Sequence, residues 1–267
     1  MGPQLSQKYA QRALLLPQRN AFMLKCTLLS SSTNVKRRAT FFSLFGVLLT
    51  LFFLLTACGE GNSTPDSKQL LAQAQDAMRQ VNSYHFNLKT DSPGSGVGSD
   101  INIQTADGDV KAPDRIKAAG TISYQGFTVA GVTVIAIGKL DYYTDPITRQ
   151  WKSTTGLDAR TLADPQAGVT ILLGGIQQPS APTDSSVDGQ SCWSINGQLS
   201  TQYIAGIIGS STAKSGNVNV TVCIGKSDHR TYQIEIKGIV IDGDSDQTKR
   251  TIKFSDFGKA VTIEAPI

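Results

Sequence analysis

The sequence predicts an α+β fold in one domain, and three observations predict it. From Ser83 onward, short apolar runs alternate with polar residues at a period of two. Gly, Asp and Pro break the runs, as expected of antiparallel strands that bury one face. Between Asp66 and Val81 the apolar period is instead helical, with Leu71, Ala74, Met78 and Val81 in step. Two further helical stretches interrupt the strands in mid-chain, and no repeat of fixed period appears.

The elements follow in order. Asp66 stands where an N-cap belongs, with Gln69 three residues on, as in a capping box. Phe86 and Leu88 then alternate with His85, Asn87 and Lys89. After a Gly-rich stretch at 93–98 come Ile101 and Ile103, Ile116 and Ala118, Ile122 and Tyr124, Phe127 and Val129, Val132 and Val134, and Leu140 and Tyr142. Asp107-Gly108 and Asp145-Pro146 read as hairpin turns. Asp164-Pro165 supplies a cap and a first-turn proline for a helix through Val169, Ile171, Leu172 and Leu173. Gln177 to Asp188 is a polar Pro/Ser loop, and Cys192 to Ile195 a strand. Ser200 caps a third helix through Tyr203, Ile204, Ile207 and Ile208. Strands resume at Val218–Val222, Tyr232–Ile236, Ile239–Ile241 and Ile252–Phe254, and the chain closes on Val261-Thr262-Ile263.

Composition bounds the function. In 267 residues, 40% hydrophobic and 17% charged content argues against wholesale disorder. Two His and four Cys leave little for chemistry that needs several such ligands. The net charge of +4 is uneven: residues 1–57 hold seven of the 25 basic residues and no acid, leaving 18 basic against all 21 acidic residues beyond them. The body is thus mildly acidic, without a basic stripe for phosphates, and nucleic acid is not an expected partner.

Lys36-Arg37-Arg38 precedes an uncharged apolar run from Ala39 to Ala57, a basic n-region followed by an h-region. The run ends Leu55-Thr56-Ala57-Cys58, which resembles the bacterial lipobox. That resemblance implies a diacylglyceryl thioether on Cys58 and cleavage before it. An uncleaved signal anchor is the alternative, since 19 apolar residues also suffice to span a bilayer. The long leader leaves Met1 or Met23 as the start. The expected organisation is a leader and signal peptide over 1–57, a lipidated tether over 58–66 and a folded domain over 67–267. Cys192 and Cys223 remain as an even pair in an exported body, and a structural disulfide is their expected state.

Other signals carry less. Asp242-Gly243-Asp244-Ser245-Asp246 spaces carboxylates like the start of a calcium loop. Gln247 and Lys253 then occupy the places that want Gly and Glu, so a solvated turn is expected and no metal. His85 and His229 are far apart in sequence, with no nucleophile elbow nearby, which makes an envelope hydrolase the weakest reading. The glycines at 93–98 lack the lysine and helix of a phosphate loop. Trp151 and Trp193 read as core or rim aromatics.

Taken in order, several motifs resemble the LppX/LprA/LprF/LprG lipoproteins and, more widely, the LolA/LolB lipoprotein carriers. They are the Val81-Asn82-Ser83-Tyr84-His85-Phe86 junction, Gly120-Thr121-Ile122, Gly138-Lys139-Leu140-Asp141-Tyr142 with Trp151, and Asp164-Pro165 with Gly168 and Leu172. Val187-Asp188-Gly189-Gln190, Asn196-Gly197 and the terminal Asp256–Ile263 stretch complete the set. Cys192, Cys223 and the Gly-rich insertion depart from it. The resemblance implies a strongly curved antiparallel half-barrel packed on helices around an apolar cavity. It implies a non-enzymatic protein without cofactor, anchored to the extracytoplasmic face of the cell membrane, carrying acylated lipids or glycolipids with a lipid transporter as partner. The rival expectation is a sensor or scaffold of the same fold. Ile122, Tyr124, Val132, Val134, Leu140, Tyr142 and Leu172 are the candidate cavity residues, of which only Ile122 falls in a motif associated with cavity lining.

Overall fold

The computed structural model describes residues 64–91, 102–124, 126–155, 160–208 and 214–266. Cys58 and the glycines of 93–98 lie outside them, as do the side chains of Tyr124, Ile207 and Ile208. The first element is helix α1 (Ser67–Arg79), where the Asp66 carboxylate accepts from the Gln69 backbone N–H at 2.8 Å. That bond satisfies one of the open donors of the first turn. Leu70, Leu71, Ala74 and Met78 form its buried stripe.

Six strands follow as a meander: β1 (Ser83–Asp91), β2 (Asn102–Lys111), β3 (Arg115–Tyr124), β4 (Phe127–Ile137), β5 (Leu140–Thr144) and β6 (Trp151–Thr154). Helices α2 (Arg160–Ala163) and α3 (Gly168–Gly174) lead to β7 (Thr183–Val187) and β8 (Gln190–Ser200). Helix α4 (Thr201–Ile208) and strands β9 (Asn217–Gly225), β10 (Thr231–Lys237) and β11 (Lys249–Ser255) complete the series. All eleven strands form one open antiparallel sheet in the order β6-β5-β4-β3-β2-β1-β11-β10-β9-β8-β7.

Two devices bend the sheet around its inner face. Register shifts fall between Ile103 and Thr105 on β2 and between Gly120 and Thr121 on β3. At the second, Gly131 is the extra residue on β4, at φ +71°, a conformation that favours glycine. On β3, a Cβ at Gly120 would collide with the Thr105 carbonyl oxygen, so only glycine lets the backbones approach so closely.

Helix α1 packs on α3, and together with Leu199, Val218, Val220, Val222 and Ile195 they fill the β8–β10 side of the inner face. The outer face carries a second, smaller cluster. The segment after β11 runs back so that Ile263 packs with Ile135 and Tyr142, flanked by Ile137, Trp151 and Val261. The Arg115 guanidinium donates to the Ile263 carbonyl at 2.6 Å, and Ser83 Oγ donates to the Lys259 carbonyl at 2.7 Å.

Several sequence-based expectations are corrected. Asp107-Gly108 is no turn but the middle of β2, where Asp107 pairs with Asn87 and Gly108 with Phe86 of β1. The Asp164-Pro165 pair makes a turn closed by Gln166 and Ala167, and the helix itself starts at Gly168. The polar 177–188 segment contains β7, an exposed edge strand whose low apolar content hides it. Residues 239–241 are not a strand but belong to a loop. The runs at 116–118 and 122–124 are one strand, β3. Those at 127–129 and 132–134 likewise join as β4.

Cys192 and Cys223 are bonded across β8 and β9, with Cα atoms 5.5 Å apart and a sequence separation of 31. Closing such a loop stabilises by about 3.7 kcal/mol in the chain-entropy model. Reduction with dithiothreitol is therefore expected to lower the thermal midpoint by several degrees, measured against a Cys192→Ala/Cys223→Ala protein that should not respond.

Candidate functional site

On the side of the sheet formed by β1 to β4 and β11, the inner face stands away from the helices. A cavity of about 260 Å³ lies there. Its floor is built from alternate residues of adjacent strands: Phe86 and Leu88 of β1, Ala106 and Val110 of β2, Ala118 and Ile122 of β3, Val132 and Val134 of β4, and Ile252 and Phe254 of β11. Leu162 of α2 with Val169 and Leu172 of α3 cover it. The inner rows at Ala106, Ala118 and Gly120 are short, which is why this half of the concave face is not filled by its own side chains.

One end of the cavity is closed. Tyr84 packs edge-on against Phe254 with ring centroids 5.6 Å apart, and its hydroxyl donates to the Leu162 carbonyl at 3.2 Å. Burial raises the pKa of that hydroxyl above its ordinary value, so it stays a protonated donor. Val110 and Ile116 are 2% and 4% exposed at this end, whereas Ile103, across the cavity, is 43% exposed. Among the described residues, Thr105 supplies the lining's only side-chain hydroxyl besides that of Tyr84. Such a surface favours hydrocarbon and offers little to orient a polar group.

Among the residues singled out from the sequence, Ile122, Val132, Val134 and Leu172 line the cavity. Leu140 and Tyr142 do not. Val134 pairs with Tyr143 and Ile135 with Tyr142, so Tyr142 takes the parity of the outer face and packs with Ile135 and Ile263. Leu140 is 42% exposed at the β4–β5 hairpin. Tyr84, Phe86, Val110, Ile252 and Phe254 were missed as lining residues. Their alternation was visible, but the pairing of β1 with β11, which brings the last two beside the first, was not.

Polar groups elsewhere are engaged in structure. Asp244, from the acidic run, turns inward: its side chain is fully buried and holds Arg250 by two bonds of 2.9 and 2.8 Å. The same carboxylate accepts from the Val240 and Ile241 backbone N–H groups at 2.9 Å. Among the described residues, no three His, Cys, Asp or Glu side chains converge as metal ligands do.

His85 lies on the outer face, with Nδ1 2.9 Å from Asp109 and Nε2 3.2 Å from Asp107. Partial burial opposes the imidazolium, but hydrogen bonds to Asp109 and Asp107 and their charges outweigh it and raise the pKa. A raised folded pKa gives stabilisation that is complete below the unfolded value, near 6.5, and is lost as pH rises through the folded value. The difference in thermal midpoint between this protein and His85→Gln should therefore shrink as pH is raised from about 6 to about 8.

The LppX_LprAFG lipoprotein model matches residues 66–263, nearly all of the folded domain. Lipoprotein LprA of Mycobacterium tuberculosis is 26% identical over 216 residues, covering 77% of this chain and 83% of the relative. The lipoarabinomannan carrier protein LprG of Mycobacterium leprae is 24% identical over 243 residues, covering 86% and 97%. The crystal structure of LprF from Mycobacterium bovis superposes with a TM-score of 0.60 at 18% identity, covering 76% of this chain and 99% of that one. With the family model spanning the curved sheet, its helices and its cavity, the chain belongs to the LppX_LprAFG lipoprotein family.

Proposed function

We propose that the protein is a membrane-anchored carrier that takes acyl chains of lipids or glycolipids into this cavity and moves them within the cell envelope. The observation that carries the reading is an apolar cavity built from strand residues of the curved sheet and open at one end. Each buried methylene favours transfer from water by about 0.8 kcal/mol, so roughly ten of them supply the ~8 kcal/mol of micromolar affinity. The relationship to a lipoarabinomannan carrier supports a glycolipid as cargo. Ile122, Val132, Val134 and Leu172 are the lining residues that contact it.

Anchoring is assigned to Cys58, with 1–57 removed and 58–66 serving as tether on the extracytoplasmic face. Attachment of two or more acyl chains holds a protein stably at a membrane. The body acts without a catalytic step and delivers cargo to, or receives it from, a lipid transporter.

Native mass spectrometry of the lipoprotein expressed with its own export signal, followed by solvent extraction, tests both parts. The expected result is a covalent mass increment on Cys58 together with a non-covalent diacyl or triacyl species that solvent removes. A protein bare of extractable lipid, and still bare after incubation with total envelope lipids, would point instead to a sensor or scaffold of the same fold.

A further inference from the structure

Large apolar side chains exposed to solvent are few among the described residues, and their placement is uneven. Phe127 is 74% exposed, Ile147 91% and Ile239 41%, with Ile103 at 43%. The register of the sheet puts all four at one end. Strands β1, β3, β5 and β10 run toward that end, and β2, β4 and β11 start from it. The β3–β4 hairpin tip, the 145–150 loop and the 238–248 loop therefore share it. Of the other two exposed large apolar residues, Leu140 is at the opposite end and Ile171 on a helix.

This is also the end at which the cavity opens. Along β2, the lining passes from Val110, 2% exposed, to Ile103, 43% exposed. The loops that carry Ile147 and Ile239 are held in place. Asp145 accepts from the Ile147 and Thr148 backbone N–H groups at 3.0 and 2.8 Å and is paired with Lys152. Arg149 donates to the Ala130 and Gly131 carbonyls at 3.1 and 3.2 Å, tying that loop to the β4 bulge. Asp244 fixes Val240 and Ile241, next to Ile239. Clamped loops thus present bare apolar side chains beside an apolar opening.

We infer that this end of the sheet docks on a lipid bilayer, with Phe127, Ile147 and Ile239 as tips that enter the acyl region. Length favours a bilayer over another occupant. Seven residues lie between Cys58 and Asp66, eight steps along the chain. Even fully extended, that chain spans only about 26–29 Å. A lipidated Cys58 therefore keeps the domain beside its own membrane, where three separated apolar tips find hydrocarbon without needing a complementary protein surface. The inference rests on the carrier reading for its purpose: with the mouth against the bilayer, acyl chains pass between lipid and cavity without crossing water.

The test uses the full lipoprotein reconstituted in vesicles of phosphatidylcholine and phosphatidylglycerol. A polarity-sensitive fluorophore is placed on a cysteine replacing Phe127, Ile147 or, as control, Leu140. At 127 and 147 emission should shift to the blue and be lost on addition of lipids carrying a nitroxide on the acyl chain, while at 140 it should not change. Equal quenching at all three positions, or none at 127 and 147, overturns the docking geometry. Separately, Phe127→Asp/Ile147→Asp should slow lipid uptake from vesicles by about tenfold while leaving uptake from detergent micelles intact. Unchanged uptake from vesicles also overturns the inference. Should the unsubstituted protein take up no lipid even from micelles, the carrier reading fails, and the quenching pattern still decides the docking.

Discussion

Replacing Asp244 by alanine is expected to destabilise the protein by about 3–5 kcal/mol, the range for stranding one member of a buried ion pair. Asp244 is fully buried and Arg250 only 10% exposed in their side chains. Removal of the carboxylate leaves a guanidinium with neither water nor counter-charge, and it also frees two backbone N–H groups at Val240 and Ile241. Urea unfolding followed by circular dichroism measures the loss. Asp244→Asn, which keeps an acceptor for one or two of those donors, should lose less. Adding Arg250→Met to Asp244→Ala should recover part of the loss, because the unpaired charge goes with it. If the single substitution costs under about 1 kcal/mol, the pair is as weak as an ordinary surface one.

Ile122→Trp is expected to have the largest effect on cargo. Ile122 sits on the floor between Ile103 of β2 and Val129 of β4 and is itself half-buried, so an indole there occupies space that acyl methylenes would otherwise take. Displacing two methylenes costs roughly 1.6 kcal/mol, or about fifteenfold in affinity. The empty protein should be no less stable, since the added ring fills a void instead of straining a packed core. Loading measured by extraction and mass spectrometry, with the thermal midpoint measured alongside, separates these effects. Leu140→Trp, on an exposed hairpin away from the cavity, is the control that should load normally. A folded Ile122→Trp protein with full loading would remove this residue from the binding surface.

Much of this architecture is legible in the sequence because the strands bury one face. Phe86 and Leu88, or Val132 and Val134, announce both a strand and the side that faces inward. Legibility fails where an element buries little or where the face depends on a partner. Strand β7, with Thr183 to Ser186 all exposed, has no apolar signal to read. Gly108 looks like a turn residue because glycine is permissive, yet here it serves the close approach of strands inside the sheet. Tyr142 looks like any other inward apolar residue until its pairing with Ile135 assigns the face. The second cluster needs the tail to fold back from Asp256 onward, a contact between residues more than a hundred positions apart that periodicity cannot express.

The seam between β1 and β11 has a consequence for how the protein comes to be folded. His85 pairs with Ser255 and Asp91 with Lys249, so the first and last strands meet at the middle of the sheet. Each flank pairs strands that follow one another in the chain, β8 and β9 through α4, and can form as soon as its own residues are available. The two flanks cannot join until the last strand of the series has been made, and closing so long a loop is slow. Assembly of the complete sheet is therefore a late event, after each flank has begun to form on its own. A stop codon that removed β11 would leave two separate meanders with exposed edges, a product suited to proteolysis or aggregation and not to a smaller working protein.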